Sequence, residues 1–162
     1  MKAIIDLEKG LYLKNEISDE EEACLLQNGY EPCKGRTTKD GGSTWFFVKV
    51  RHNEGAEHAY LCWVTYELAL KRFDKVEMNA TSGGDVIIDT GTKRVAFEIE
   101  TGSNLTRHTD EFLKEKFQRL TENFDDYYII ASDYDFQKRY RKYGKVILRN
   151  KIEETLAGIG RQ

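Results

Sequence analysis

Residues 84–102 read Gly84-Asp-Val-Ile-Ile-Asp-Thr-Gly-Thr-Lys-Arg-Val-Ala-Phe-Glu-Ile-Glu-Thr-Gly102. Two apolar runs, Val86 to Ile88 and Val95 to Ile99, flank the polar break Asp89 to Arg94, which holds one glycine. That pattern predicts two antiparallel strands joined by a tight turn. With a loop of Gly91 and Thr92, or of Thr90 to Lys93, Asp85 stands opposite Glu98 and Ile87 opposite Ala96. Alternation along a strand then places Asp85, Glu98 and Glu100 on one face and Val86, Ile88, Val95, Phe97 and Ile99 on the other, where a helix can cover them. A three-residue loop would turn Asp85 to the wrong face.

Carboxylates gathered this closely raise each other's pKa unless a cation or proton intervenes. A divalent metal is the direct solution. Magnesium takes oxygen ligands, commonly one or two carboxylates with waters and substrate phosphates, and so suits phosphodiester hydrolysis. Solvent-facing acids on an edge hairpin are the ordinary alternative.

The chain has 162 residues, 33% of them charged, and a net charge of −3. That length suits one domain with an appendage, and the slight acidity argues against a purely electrostatic nucleic-acid binder. Cys24, Cys33 and Cys62 form no CxxC pair and read as reduced intracellular thiols. His52, His58 and His108 are read as standing in no ligand spacing with them, so no zinc site is expected. No run approaches the roughly 18 apolar residues of a membrane span, and the start lacks an apolar signal segment. The chain reads as soluble and cytoplasmic.

The structure of residues 1–13 is left open. Ser18-Asp-Glu-Glu21 is a capping box, predicting a helix to about Gln27 before Asn28-Gly29. Tyr30 to Lys34, a polar loop through Asp40-Gly-Gly42 and the aromatic run Ser43 to Val50 suggest a long hairpin. Residues 1–54 are thus expected to form an N-terminal α+β extension packed on residues 55–162. From Gly55 to Phe73 apolar residues surround much of a helix, implying burial between layers, with Glu57 and His58 in its first turn. Lys75 to Met78 reads as a strand, Ala80 to Gly84 as a turn and Ser103 to His108 as a polar loop. A helix capped by Thr109 or Asp110 is expected to reach Asn123 and to bury Phe112, Leu113, Phe117, Leu120 and Phe124. Asp126 to Ser132 and Val146 to Leu148 read as strands, and Ile152 to Gly158 as a short helix.

Between Phe136 and Lys151 the chain carries Lys138, Arg139, Arg141, Lys142, Lys145, Arg149 and Lys151 and no acid, with Tyr140 and Tyr143 interleaved. Such a stretch suits a phosphate backbone, with Lys138, Arg139, Arg141, Lys142 and Lys145 as the DNA-binding candidates. A solvated surface is the plain alternative.

From Gly55 onward the predicted order is helix, three strands, helix, strand. With Asp85 in the second strand and Glu98-Ile-Glu100 in the third, this resembles the PD-(D/E)xK, or restriction-endonuclease-like, nuclease superfamily across about Ala56 to Ser132. Glu57-His-Ala-Tyr-Leu61 and Glu98-Ile-Glu-Thr-Gly102 are similar to a group of archaeal, plasmid and viral nuclease-like proteins. The resemblance implies an α/β fold with a restriction-endonuclease-like core, made of a helix, a three-stranded meander, a helix and a strand. It also implies a Mg2+- or Mn2+-dependent deoxyribonuclease. Asp85 and Glu98 would be the metal-binding acids, the Ile99 carbonyl a further ligand, and Glu57 the helix acid of the metal's inner or outer sphere.

Two departures stand out. The proline usual before the aspartate is Gly84, read as harmless, and the usual catalytic lysine is replaced by Glu100. Glu100 is expected to act as base or second-metal ligand, as in ExE variants of the superfamily. The alternative is that Lys116, on the following helix, reaches in as a migrated lysine, although a lone helical lysine ordinarily faces solvent. A homodimer is expected, with Trp45 to Phe47 at its interface, because duplex cleavage addresses two phosphates. The competing function is a catalytically silent DNA-binding or assembly module of the same fold.

Overall fold

The structure, a computed structural model, describes residues 5–36, 43–79 and 83–160. The polar loop expected through residues 40–42 and the part of the expected turn at 80–82 lie outside them. The chain is a mixed α/β protein with two sheets and six α-helices among the described residues. It divides into two compact units, Met1–Val64 and Thr65–Gln162. The division falls inside a helix, α2 (Ala56–Leu70), and not ahead of it.

In the first unit, strands β1 (Leu11–Leu13), β2 (Tyr30–Arg36) and β3 (Ser43–Lys49) form an antiparallel sheet in the order β1-β3-β2. The capping box is present: Ser18 Oγ accepts from the Glu21 N–H, and the Glu21 carboxylate accepts from the Ser18 N–H. It starts helix α1 (Asp19–Gln27). Leu25, Tyr30 and Phe47 make the small core, with Ile5, Leu7, Tyr12 and Ile17 packed against it. Of the aromatic trio expected at a dimer interface, Trp45 is exposed, but Phe47 is 1% exposed and belongs to this core. Trp45 and Phe47 share a face of β3, and the core formed with Leu25 and Tyr30 covers only Phe47.

The second unit is built on five strands in the order β4-β5-β6-β7-β8: β4 (Lys75–Met78), β5 (Val86–Asp89), β6 (Arg94–Glu100), β7 (Asp126–Ala131) and β8 (Val146–Leu148). The β4-β5-β6 meander is antiparallel, and β7 and β8 add in parallel. Thr90 to Lys93 form the hairpin loop, closed by the Thr90 N–H on the Lys93 carbonyl (2.9 Å), with Gly91 at φ +86°. Val86 pairs Phe97 and Ile87 pairs Ala96, the register expected of a four-residue loop. Asp85 stands just ahead of β5, not within it, yet its N–H continues the ladder by donating to the Phe97 carbonyl (2.8 Å).

Strand β6 is central, with β5 on one side and β7 on the other. It is therefore no edge strand, and from Val95 to Glu100 every residue is buried. Helix α4 (Asp110–Asn123), capped by Thr109, places Leu113, Phe117 and Leu120 on the face that carries Ile87, Ala96 and Ile129. Alternation puts Glu98 and Glu100 on that same face of β6. Phe112, expected in the core, is 43% exposed and stacks on His108 at 4.1 Å between ring centroids. At i−1 from Leu113 it lies off the stripe that packs on the sheet.

Two short helices interrupt segments expected to be irregular or unassigned: α3 (Ser103–Arg107), where a loop was anticipated, and α5 (Tyr134–Tyr140). Asp133 caps α5 through the N–H groups of Asp135 and Phe136. Gly102, at φ +92°, lets α5 approach: a Cβ there would stand 2.2 Å from Cζ of Phe136. The chain closes with α6 (Ile152–Ile159), whose Ile152 and Leu156 are buried. No helix among the described residues is long and apolar enough to cross a membrane.

Candidate active site

The acids of the hairpin meet a lysine from α4. Lys116 Nζ lies 2.6 Å from Glu98 Oε1 and 2.6 Å from Glu100 Oε1. The ordinary expectation of a solvent-facing lysine fails because residue 116 flanks the buried Leu113–Phe117 stripe, and its stem runs along the sheet to the two carboxylates. Burial alone would depress the Lys116 ammonium. Glu98 and Glu100 outweigh that effect and hold it firmly protonated.

Asp85, opposite Glu98 in the β5–β6 register, is fixed by the neighbouring strand: its Oδ2 accepts the N–H of Ile99 at 2.7 Å. Glu98 is 8% exposed. Burial first, and then the negative charge of Asp85, push its carboxyl up to about 7 against the opposing pull of Lys116. Glu98 thus carries a charge that its surroundings balance incompletely, and Asp85 is the nearby acid chiefly responsible.

Glu100 has a different environment. It is 1% exposed. Besides Lys116 it accepts from Asn104 Nδ2 (3.2 and 3.0 Å) and from the Tyr140 hydroxyl on Oε2 (2.6 Å). Burial and then Glu100 raise the Tyr140 phenol far above its ordinary value, so it remains a donor. A carboxylate buried and engaged on both oxygens is poorly placed to take a proton from water, the role expected of Glu100 from sequence. Asn104 was hidden in a segment read as a loop, although its place four residues beyond Glu100 is a local hint. Tyr140 gave no local signal, since it stands forty positions away and reads as part of a basic surface.

Gly84 is more than a harmless departure. Its φ of +81° is closed to proline, whose ring fixes φ near −65°. This turn cannot carry the usual residue and still deliver Asp85 as it does. Glu57 is exposed in the first turn of α2 and belongs to the first unit.

The basic candidates separate into two groups. Lys138, Arg139 and Arg141 are exposed at the end of α5 and just past it. Lys142 Nζ lies 2.6 Å from Asp110 Oδ1, and Lys145 Nζ lies 2.6 Å from Asp126 Oδ2. Tyr143, interleaved among these basic residues, is 9% exposed and donates its hydroxyl to Asp110.

One spacing among the cysteines and histidines was passed over in the sequence. His58 and Cys62 are four residues apart on α2 and share a face, a spacing that does suit metal ligands. With Glu54 they bring three donor atoms within 4.8 Å of one another.

No known protein family matches the chain, and neither does any curated protein. A solved structure with some likeness is that of protein VC1899 from Vibrio cholerae, at 10% identity and a TM-score of 0.40. The likeness covers 95% of this chain and 46% of that one, so the chain spans less than half of that protein's length.

Proposed function

We propose that the chain is a metal-dependent DNA nuclease of the restriction-endonuclease-like kind, with Asp85, Glu98 and Lys116 as its working residues. The carrying observation is the Lys116 ammonium held 2.6 Å from both Glu98 and Glu100, on the face of β6 whose Glu98 charge is incompletely balanced. The element order supports the reading: an antiparallel meander, a helix across it and a parallel fourth strand follow α2, as the superfamily resemblance implies.

The donor set fits magnesium or manganese, because Asp85 and Glu98 offer hard carboxylate oxygens and a divalent cation relieves the charge that raises Glu98. Such a cation, when bound, polarises a phosphoryl oxygen and lowers the pKa of water. Asp85 is oriented for that duty by the Ile99 N–H. Lys116 replaces the lysine that the strand lacks. An ammonium has three N–H donors; Glu98 and Glu100 occupy two, and we assign the third to a phosphate oxygen gaining charge. Glu100 is then a positioning residue for Lys116, held in turn by Asn104 and Tyr140. Lys138, Arg139 and Arg141 supply phosphate contacts that set the register of the duplex.

A second reading has an observation behind it. Glu98, Glu100, Lys116, Asn104 and Tyr140 form a network that is largely self-sufficient, which suits a silent DNA-binding module. Cleavage of plasmid and branched DNA in magnesium, manganese or chelator separates the two. The nuclease reading expects metal-dependent cutting that Asp85→Asn and Glu98→Gln abolish while the protein remains folded. Metal-independent DNA binding without any cutting would overturn it in favour of the silent module.

A further inference from the structure

The three donors on α2 and just ahead of it are of three kinds. His58 Nδ1 lies 2.8 Å from Glu54 Oε1 and 3.6 Å from Cys62 Sγ. A cysteine, a histidine and an acid in contact invite comparison with a nucleophilic triad, but the geometry excludes one. A triad places its thiol and its acid on opposite ring nitrogens, so that one receives the proton and the other orients the ring. Here both meet Nδ1. Three donors converging on one point are arranged as ligands of a shared centre.

One edge of the group already has the length a tetrahedral cation requires. Bonds of about 2.3 Å to sulfur and 2.0–2.1 Å to nitrogen, about 109° apart, put the two atoms roughly 3.6 Å apart. That is the separation of Sγ and Nδ1. The nitrogen–oxygen edge of such a site is about 3.4 Å, so the 2.8 Å Glu54–His58 hydrogen bond opens by about 0.6 Å when its proton is replaced. Glu54 is already oriented for this exchange. Its Oε2 accepts from the Arg51 N–H (3.0 Å) and Nε (3.4 Å), leaving Oε1 directed at His58, as outer-shell bonds commonly direct a ligating carboxylate. Cys62 is 2% exposed, whereas the His58 side chain is 24% exposed, so the donors have a buried end and an approach from solvent.

We propose that Glu54, His58 and Cys62 form a binding site for a borderline divalent cation of the zinc class, with water completing the four ligands. The thiolate selects against magnesium, a hard cation, so this site and the carboxylates of the proposed nuclease centre take different metals. Binding converts the Cys62 thiol to thiolate and releases its proton to solvent. His58 ligates as the neutral imidazole protonated on Nε2, its Nδ1 proton having left for solvent or for that nitrogen. The proposal stands independently of the nuclease reading.

The test titrates the metal-free full chain with zinc against a chromophoric chelator, and with cobalt(II) as the spectroscopic probe. One zinc per chain is expected, together with a sulfur-to-cobalt charge-transfer band and the intense visible bands of tetrahedral cobalt. Cys62→Ser removes the charge-transfer band and weakens zinc binding by at least about 100-fold, while Glu54→Gln weakens it by about 10-fold or more. Cys24→Ser, Cys33→Ser and Asp85→Asn leave both readouts unchanged. If Cys62→Ser does not fold, alkylation of the parent protein decides instead: bound zinc must slow modification of Cys62, identified by mass spectrometry, and Glu54→Gln must reduce that protection. No charge-transfer band in the parent, a band that survives Cys62→Ser, or Cys62 alkylation indifferent to zinc would each overturn the site.

Discussion

The ammonium of Lys116 lies 2.6 Å from Glu100 Oε1, joining the third residue of the Glu98-Ile-Glu100 motif to a helix that begins ten positions beyond it in sequence. The pairing returns a positive charge to the place where strand β6 carries a glutamate. It also ties the charge state of the acids to the stability of the second unit.

Replacement of Lys116 by methionine keeps the apolar stem and removes the charge. Cleavage should fall about 100- to 1,000-fold, the scale for loss of a group that stabilises developing negative charge. Two buried carboxylates also lose their common partner, so urea denaturation at pH 8 should show a loss of roughly 3 kcal/mol. Adding Glu98→Gln should restore part of the stability and none of the activity. Activity within tenfold of the parent in the single variant would leave Lys116 a structural partner only.

In chelator, stability should fall as pH rises from about 4.5 to about 7. The Glu98 carboxyl has a folded pKa near 7 and an ordinary value of 4.5, so across that window the folded state binds more protons than the unfolded state. Each pKa unit is worth about 1.4 kcal/mol, which sets an upper bound of about 3.5 kcal/mol on the effect. Glu98→Gln should flatten this limb of the stability-versus-pH curve. An equally steep limb in that variant would assign the titration to another group.

Tyr140→Phe deletes one hydroxyl, the donor 2.6 Å from Glu100 Oε2. Leaving that buried acceptor short of a partner should cost about 1–3 kcal/mol by thermal or urea unfolding. Because Tyr140 acts on Lys116 only through Glu100, kcat should drop by less than in Lys116→Met, with DNA affinity retained. Equal losses in the two variants would instead place the tyrosine against substrate.

Gly102 and Gly29 both hold positive φ, at +92° and +81°, but only Gly102 is crowded. Gly29→Ala should therefore lose about 1 kcal/mol from backbone strain. Gly102→Ala adds a clash with Phe136 and should lose a further 1–3 kcal/mol or so. Shortening Phe136 to leucine in the Gly102→Ala background should recover part of the difference.

Alanine at Lys138, Arg139 and Arg141 should lower the salt dependence of DNA binding by up to about 0.9 in log–log slope for each phosphate left without its cation. Alanine at Lys142 and Lys145 should change it less, since Asp110 and Asp126 already hold those charges. Filter-binding or anisotropy titrations from low to moderate salt give both slopes. Slopes identical to the parent in the first set would make that end of α5 an ordinary solvated surface.

The sequence by itself determined the local events of this fold. Ser18 and Glu21 carry their capping box wherever the helix sits, and Thr109 caps α4 by the same local logic. The apolar runs on either side of Asp89 to Arg94 pair in the expected register because a hairpin joins neighbours and alternation fixes their faces. What lay beyond reach depended on partners distant along the chain. The parallel addition of β7 made β6 central, which buried Glu98 and Glu100 where an edge hairpin would have left them in water. The close approach of α5 over Gly102 placed Tyr140 against Glu100, and the packing of α4 turned Lys116 from a solvent-facing lysine into the counter-ion of both acids. Hydrogen-bond reach is a matter of a few ångströms in space, and only the tertiary structure decides which residues far apart in sequence come within it.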